Sequence, residues 1–156
     1  MSAIKIVELP PQKAAYFRST KGYEQEGIHG AFDRLNKHLS KNPPGESLEV
    51  LGLGWDDPES TPLEKCRYDA AFTFTGEVPA GTDGIHEMPG GTFACYRYVG
   101  PYDKMGAAYQ EAHRLIAENT TLKFRPDVCI ENYRNDPAST PPEELITDIY
   151  LPVKKI

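Results

Sequence analysis

Cysteine is scarce in this chain: Cys66, Cys95 and Cys129 are odd in number, far apart and without a Cys-x-x-Cys spacing. That excludes a disulfide framework and a cysteine zinc site, and leaves three small residues suited to an interior. Long apolar runs are absent too. No segment approaches the length that crosses a bilayer, and Met1–Glu8 has neither the apolar core nor the cleavage site of a leader, so a cytoplasmic protein with no membrane partner is expected. Positive charge is in deficit, with 17 Lys and Arg against 23 Asp and Glu and a formal net charge of −6. The cations are scattered rather than striped, which argues against nucleic acid as a direct partner. An acidic surface instead favours cationic small molecules, a basic protein, or simply solubility. The histidines at 29, 38, 86 and 113 form no metal-ligand spacing with an acidic partner, and Met88-Pro89-Gly90-Gly91 precedes a strand rather than opening a helix. Neither a metal nor a nucleotide cofactor is expected.

What is present is ordinary globular composition, with enough length for one domain or for two small halves sharing a core. Residues 4–9 and 14–20 are β-prone runs broken by Pro10-Pro11, which predicts a hairpin or a sharply bent strand. From about Glu24 to Ser40, the spacing of Ile28, Ala31, Phe32, Leu35 and Leu39 predicts an amphipathic helix, ended by Asn42-Pro43-Pro44-Gly45. Leu48–Trp55 and Arg67–Thr75 are two further strands, joined by a proline-containing acidic loop over Asp56–Pro62.

The same order then begins again. A shift of 79 superposes Glu8 on Glu87, Pro10 on Pro89, Arg18 on Arg97, Tyr23 on Tyr102, Asp57-Pro58 on Asp136-Pro137 and Asp69 on Asp148. A second helix over about Pro101–Asn119 carries Met105, Ala108, Tyr109, Ala112 and Ile116 on one face. The expected fold is therefore α+β. It comprises a single domain, 1–156, made of an internal repeat, 1–78 and 79–156. Each copy is a strand-helix-strand-strand module related to the other by a pseudo-twofold axis, forming a mostly antiparallel sheet with two helices on one face and a ligand cleft between the halves.

Chemistry concentrates in Val128-Cys129-Ile130-Glu131-Asn132-Tyr133, where a carboxylate interrupts an apolar, β-prone run. Strand alternation puts Val128, Ile130 and Asn132 on one face and Cys129, Glu131 and Tyr133 on the other. A carboxylate buried there needs a cation, a hydrogen-bond donor or a proton; the alternative is a Glu that faces solvent. The repeat sets Gly52 and Gly54 opposite Glu131 and Tyr133. Those glycines either ease a bend or leave room for a guest. In the last strand Asp148 and Tyr150 share a face, and they are expected to join Glu131 and Tyr133. Trp55, Tyr68, Phe72, Tyr96 and Tyr98 add ring surface, with Phe72 and Tyr109 the rings that core packing explains best. Rings around a carboxylate form a cage for planar aromatic or cationic molecules, with about 0.5–2 kcal/mol per cation-π contact.

The stretches GTFACYRYVGPYDKMGAAYQEAH and VCIENYRNDPASTPPEELITDIYLPVK, with LGLGWDDPESTPLEKCRYDAAF in the first half, resemble the GyrI-like family of small-molecule-binding domains over nearly the whole chain. The resemblance implies two strand-helix-strand-strand modules and a pocket glutamate at Glu131. Related domains are the effector-binding parts of multidrug-responsive activators, but no helix-turn-helix segment accompanies the repeat here, so a free-standing protein is expected. Some free-standing relatives are similar to hydrolases that open the cyclopropane of alkylating toxins with a glutamate and a tyrosine, which makes Glu131 and Tyr133 the candidate catalytic residues. Glu131 would be the base; the proton donor stays open among Tyr133, Tyr68 and Tyr150. The ligand-binding candidates are Trp55, Tyr68, Phe72, Tyr96, Glu131, Tyr133, Asp148 and Tyr150. The family's namesake implies a second class of function, a protein-interaction module with DNA gyrase as partner.

Overall fold

The computed structural model describes residues 3–42 and 48–156, so the helix stop at Pro43-Pro44-Gly45 lies outside the described residues. In chain order the elements are β1 (Ile4–Leu9), β2 (Gln12–Arg18), α1 (Gln25–Lys41), β3 (Val50–Gly54), β4 (Tyr68–Phe74), β5 (Gly84–Met88), β6 (Gly91–Val99), α2 (Met105–Glu118), β7 (Leu122–Phe124), β8 (Cys129–Tyr133) and β9 (Ile146–Lys155). Short 3-10 turns occupy Leu63–Lys65, Tyr102–Lys104 and Pro142–Glu144. β3 and β8, and the first and last of these turns, are offset by 79 residues at both ends, in the register read from the sequence.

These elements form two compact units: a central unit, Pro11–Pro89, and a terminal unit that joins the chain up to Pro10 with Gly90–Ile156. In the central unit β3, β4, β2 and β5 lie side by side, all antiparallel. One stripe of α1 carries Ala31 and Leu35, which pack on Ala15, Phe17, Ala70 and Phe72 of the sheet. In the terminal unit β1, β6, β9 and β8 lie side by side, again antiparallel, and β7 pairs with the end of β9. Met105, Ala108, Ala112 and Ile116 form the buried stripe of α2 and pack on Tyr96, Ile149, Leu151 and Val153. Fully burying a side chain such as Ile116 or Ile149 contributes about 1.5–3 kcal/mol, which is what holds each helix to its sheet.

Two expectations change. β1 and β2 are no hairpin: β1 pairs with β6, from Ile4 opposite Tyr96 to Leu9 opposite Gly91, whereas β2 pairs with β4 and β5. Pro10-Pro11 separates strands of different units, as suits two residues with no N–H to offer a ladder. α2 begins at Met105, after the 3-10 turn, rather than at Pro101. Gly90 marks the entry to β6. Its φ of +79° favours glycine, and a Cβ there would come within 2.2 Å of the Leu9 carbonyl oxygen.

Candidate functional site

Register decides which side chains meet. Across β8 and β9, Glu131 is level with Ile149 and Tyr133 with Thr147; across β9 and β6, Ile149 is level with Tyr96 and Thr147 with Tyr98. Directly opposed residues share a face, so Glu131 and Tyr133 lie on the α2 side of the terminal sheet, together with Thr147, Tyr96 and Tyr98. Both are half-buried. The Tyr133 hydroxyl donates to Glu131 Oε1 at 2.5 Å, and the Tyr109 hydroxyl, reaching over from α2, donates to Oε2 at 2.5 Å. Tyr102, in the turn before α2, meets the Tyr133 ring edge-on at 5.2 Å. The result is an acid with a phenol on each oxygen, on a face lined by rings.

Electrostatics keep the phenol of Tyr109 protonated. Burial, followed by the adjacent Glu131 carboxylate, pushes it well above the ordinary tyrosine value. Burial likewise raises Tyr102, with a smaller contribution from Asp136. The arrangement can hold a cationic or electron-poor ring by charge and by stacking, or can hold a proton on a phenol beside a base.

Asp148 and Tyr150 do not join this group. They lie on the opposite face of the same sheet, since Asp148 is level with Arg97 and Asn132, one residue out of step with Glu131. Asp148 is buried and accepts from Arg97 Nε at 2.8 Å, Arg97 Nη2 at 2.9 Å and Arg134 Nε at 2.7 Å. Burial pushes its carboxyl up, but the two guanidiniums outweigh burial and hold it below the usual range. Arg134 also donates to the Tyr150 hydroxyl at 2.6 Å, and burial pushes that phenol up to about 12. The central unit repeats the device. There Asp69 accepts from Arg18 Nε at 2.7 Å and from Trp55 Nε1 and His86 Nε2, each at 2.8 Å. Trp55 stands 79 residues before Arg134 and supplies the equivalent donor. His86 is stacked on Tyr16 at 4.0 Å.

The other candidate rings are packed into cores. Tyr96 belongs to the α2 core, Phe72 to the α1 core, and Tyr68 is buried between Tyr23 and Phe32. A groove of about 990 Å³ in the central unit is lined by residues including Phe72, His38 and Met88, and by none of Tyr109, Glu131 or Tyr133. Among the described residues, no group of three or more His, Cys, Asp or Glu side chains is placed to hold a metal ion, and no helix is long and apolar enough to cross a membrane.

Tyr109 is the site residue that helix periodicity assigns to the core. The signal that finds it is the repeat: Gly30 stands 79 residues earlier, just as Gly52 and Gly54 stand opposite Glu131 and Tyr133. All three site residues thus replace glycines. Around two of those glycines the first copy behaves differently. A Cβ on Gly30 would meet nothing within 4 Å, whereas one on Gly54 would meet the Tyr23 hydroxyl at 3.0 Å.

The description GyrI-like small molecule binding domain matches residues 2–154 of the chain. DNA gyrase inhibitor 2 of Dickeya dadantii (strain 3937) is 30% identical over 134 residues, covering 83% of each chain. Among solved structures, the EcmrR C-terminal domain superposes with a TM-score of 0.79 at 16% identity, over 100% of this chain and 99% of that one. SAV2435, solved bound to tetraphenylphosphonium, gives a TM-score of 0.68 at 18% identity, over 97% and 93%. At these identities the two structures show a shared fold.

Proposed function

The chain belongs to the GyrI-like small-molecule-binding domain family, and we propose that it binds planar aromatic or cationic compounds at Glu131, with Tyr109, Tyr133 and Tyr102 as the surrounding rings. The observation that carries this reading is a half-buried carboxylate with a phenol donating to each oxygen, on a ring-lined face. The two donors hold the acid in one orientation beneath α2. A cation close to it gains both Coulomb energy and ring contacts. That a protein of the same fold was solved with tetraphenylphosphonium supports that cation as the first probe. Titrating tetraphenylphosphonium by calorimetry is expected to give a dissociation constant in the micromolar range. Glu131→Gln is expected to weaken binding severalfold without unfolding the protein. Equal affinity in that variant would falsify the reading.

The same groups support a second reading, hydrolysis of a cyclopropane-bearing alkylating toxin as cellular protection. Glu131 would take a proton from a water whose oxygen attacks a cyclopropane carbon, breaking a ring C–C bond whose electrons pass to the dienone oxygen as a phenol protonates it; Tyr109 and Tyr133, the two phenols bonded to Glu131, are the candidate donors. Loss of dienone absorbance with purified protein, compared with buffer, tests it. The resemblance to a DNA gyrase inhibitor supports a third reading, a protein-interaction role, which a supercoiling assay with purified gyrase tests directly.

A further inference from the structure

On the α2 side of the terminal sheet, one polar group has no role in the site as described. Thr147 is completely buried, and its Oγ1 has no hydrogen-bond partner among the described residues. A buried hydroxyl left unpaired is a standing cost that valine, of nearly the same shape, would avoid. Thr147 lies directly across from Tyr133 on one side and from Tyr98 on the other. Direct partners of this kind have Cβ atoms about 4.5–5.5 Å apart, and the diagonal neighbour, here Glu131, lies at about 7–8 Å. Its flanking hydroxyls are engaged elsewhere: Tyr133 donates to Glu131, and Tyr98 donates to the Pro101 carbonyl oxygen at 2.6 Å. Hydrogen-bonding capacity is therefore left over at Thr147, next to the acid and under half-buried rings.

We propose that Thr147 is a specificity-determining residue of the Glu131 site, taking a hydroxyl or carbonyl carried by the guest when the Tyr133 ring turns aside to admit it. The inference rests on the guest site proposed above. The carboxylate and rings would hold any flat or cationic body, whereas Thr147 would distinguish bodies that carry a polar atom on that edge. Such a division suits a site that accepts many shapes yet ranks them, because an unpaired buried hydroxyl discriminates against guests that leave it unpaired.

A matched pair of cations tests this: tetraphenylphosphonium, which has no hydrogen-bonding group, and its mono-hydroxyphenyl analogue. The natural protein is expected to prefer the hydroxyl analogue by roughly threefold to tenfold, the range of one neutral hydrogen bond. Thr147→Val is expected to abolish that preference, so that the two cations bind alike, and Thr147→Ser to keep it. Thr147→Ala replaces the valine variant should that one fail to fold. No preference in the natural protein, or a preference that survives loss of the hydroxyl, overturns the proposal. Binding of both cations that ignores Glu131→Gln overturns the guest site itself, a separate result.

Discussion

Tyr109 and Glu131 belong to different elements, α2 and β8, yet the phenol donates to the carboxylate at 2.5 Å. One hydrogen bond therefore ties the helix to the strand beneath it and also satisfies one oxygen of the acid. The two effects can be separated by deleting the hydroxyl and keeping the ring.

In Tyr109→Phe, the folded protein is expected to lose about 1–3 kcal/mol, the cost of removing a donor from a half-buried acceptor. Urea unfolding measures it. Tetraphenylphosphonium should bind slightly more tightly in this variant, because a donor that competes for the charge of Glu131 has gone. Weaker binding would mean that the hydroxyl itself touches the guest.

Asp148→Asn should lower stability without touching binding. It leaves Arg97 and Arg134, both partly exposed, facing a neutral amide, and weakening these charged hydrogen bonds costs about 1–3 kcal/mol after solvent screening. Tetraphenylphosphonium affinity of the folded fraction should stay within about twofold, a change of under 0.5 kcal/mol, since the pair lies on the face away from Glu131. A large loss of affinity with stability intact would return Asp148 to the binding site.

Acid should unfold the protein through the same carboxylates. Asp69 and Asp148 are both held below their ordinary values against the opposing effect of burial, Asp69 by His86, Arg18 and Trp55 and Asp148 by its two arginines. The stability they contribute is fully present above the unfolded-state value of about 4 and is lost as pH falls through the lower folded values. Denaturant midpoints measured from neutral pH downward should hold until about pH 4 and then drop, with a shallower drop in Asp148→Asn.

Alkali acts through the phenols. Tyr98, Tyr102, Tyr109 and Tyr150 are all raised by burial, Tyr150 to about 12. Their contribution is complete below about pH 10 and is lost as pH rises through the folded values. Tyrosinate absorbance should show these four ionising late, accompanied by unfolding, and Tyr109→Phe should remove one late-titrating group.

Much of this was legible in the sequence because a strand or a helix writes its own period. The duplicated order, α1 and the identity of Glu131 as an acid in a strand follow from apolar spacing and from a 79-residue offset that every major element of the first copy repeats. Partnership is less legible. Alternation shows that Asp148 and Tyr150 share a face, but only the β8–β9 register shows that this face is not the one carrying Glu131. Tyr109 sits at a helical position that suits packing equally well, and its hydroxyl is decided by what stands opposite in the fold. Trp55 and Arg134 are chemically unlike, so their shared service to the two buried aspartates is invisible until the donors are seen in place.

The exchange of opening strands has a practical result. Because Ile4–Leu9 completes the sheet that carries Glu131, clipping or fusing at the front of the chain would disturb the proposed guest-holding acid about 120 positions downstream sooner than it would disturb the helix that follows immediately. The stretch from Pro11 to Pro89, by contrast, contributes β2, α1, β3, β4 and β5 to its unit in one unbroken run.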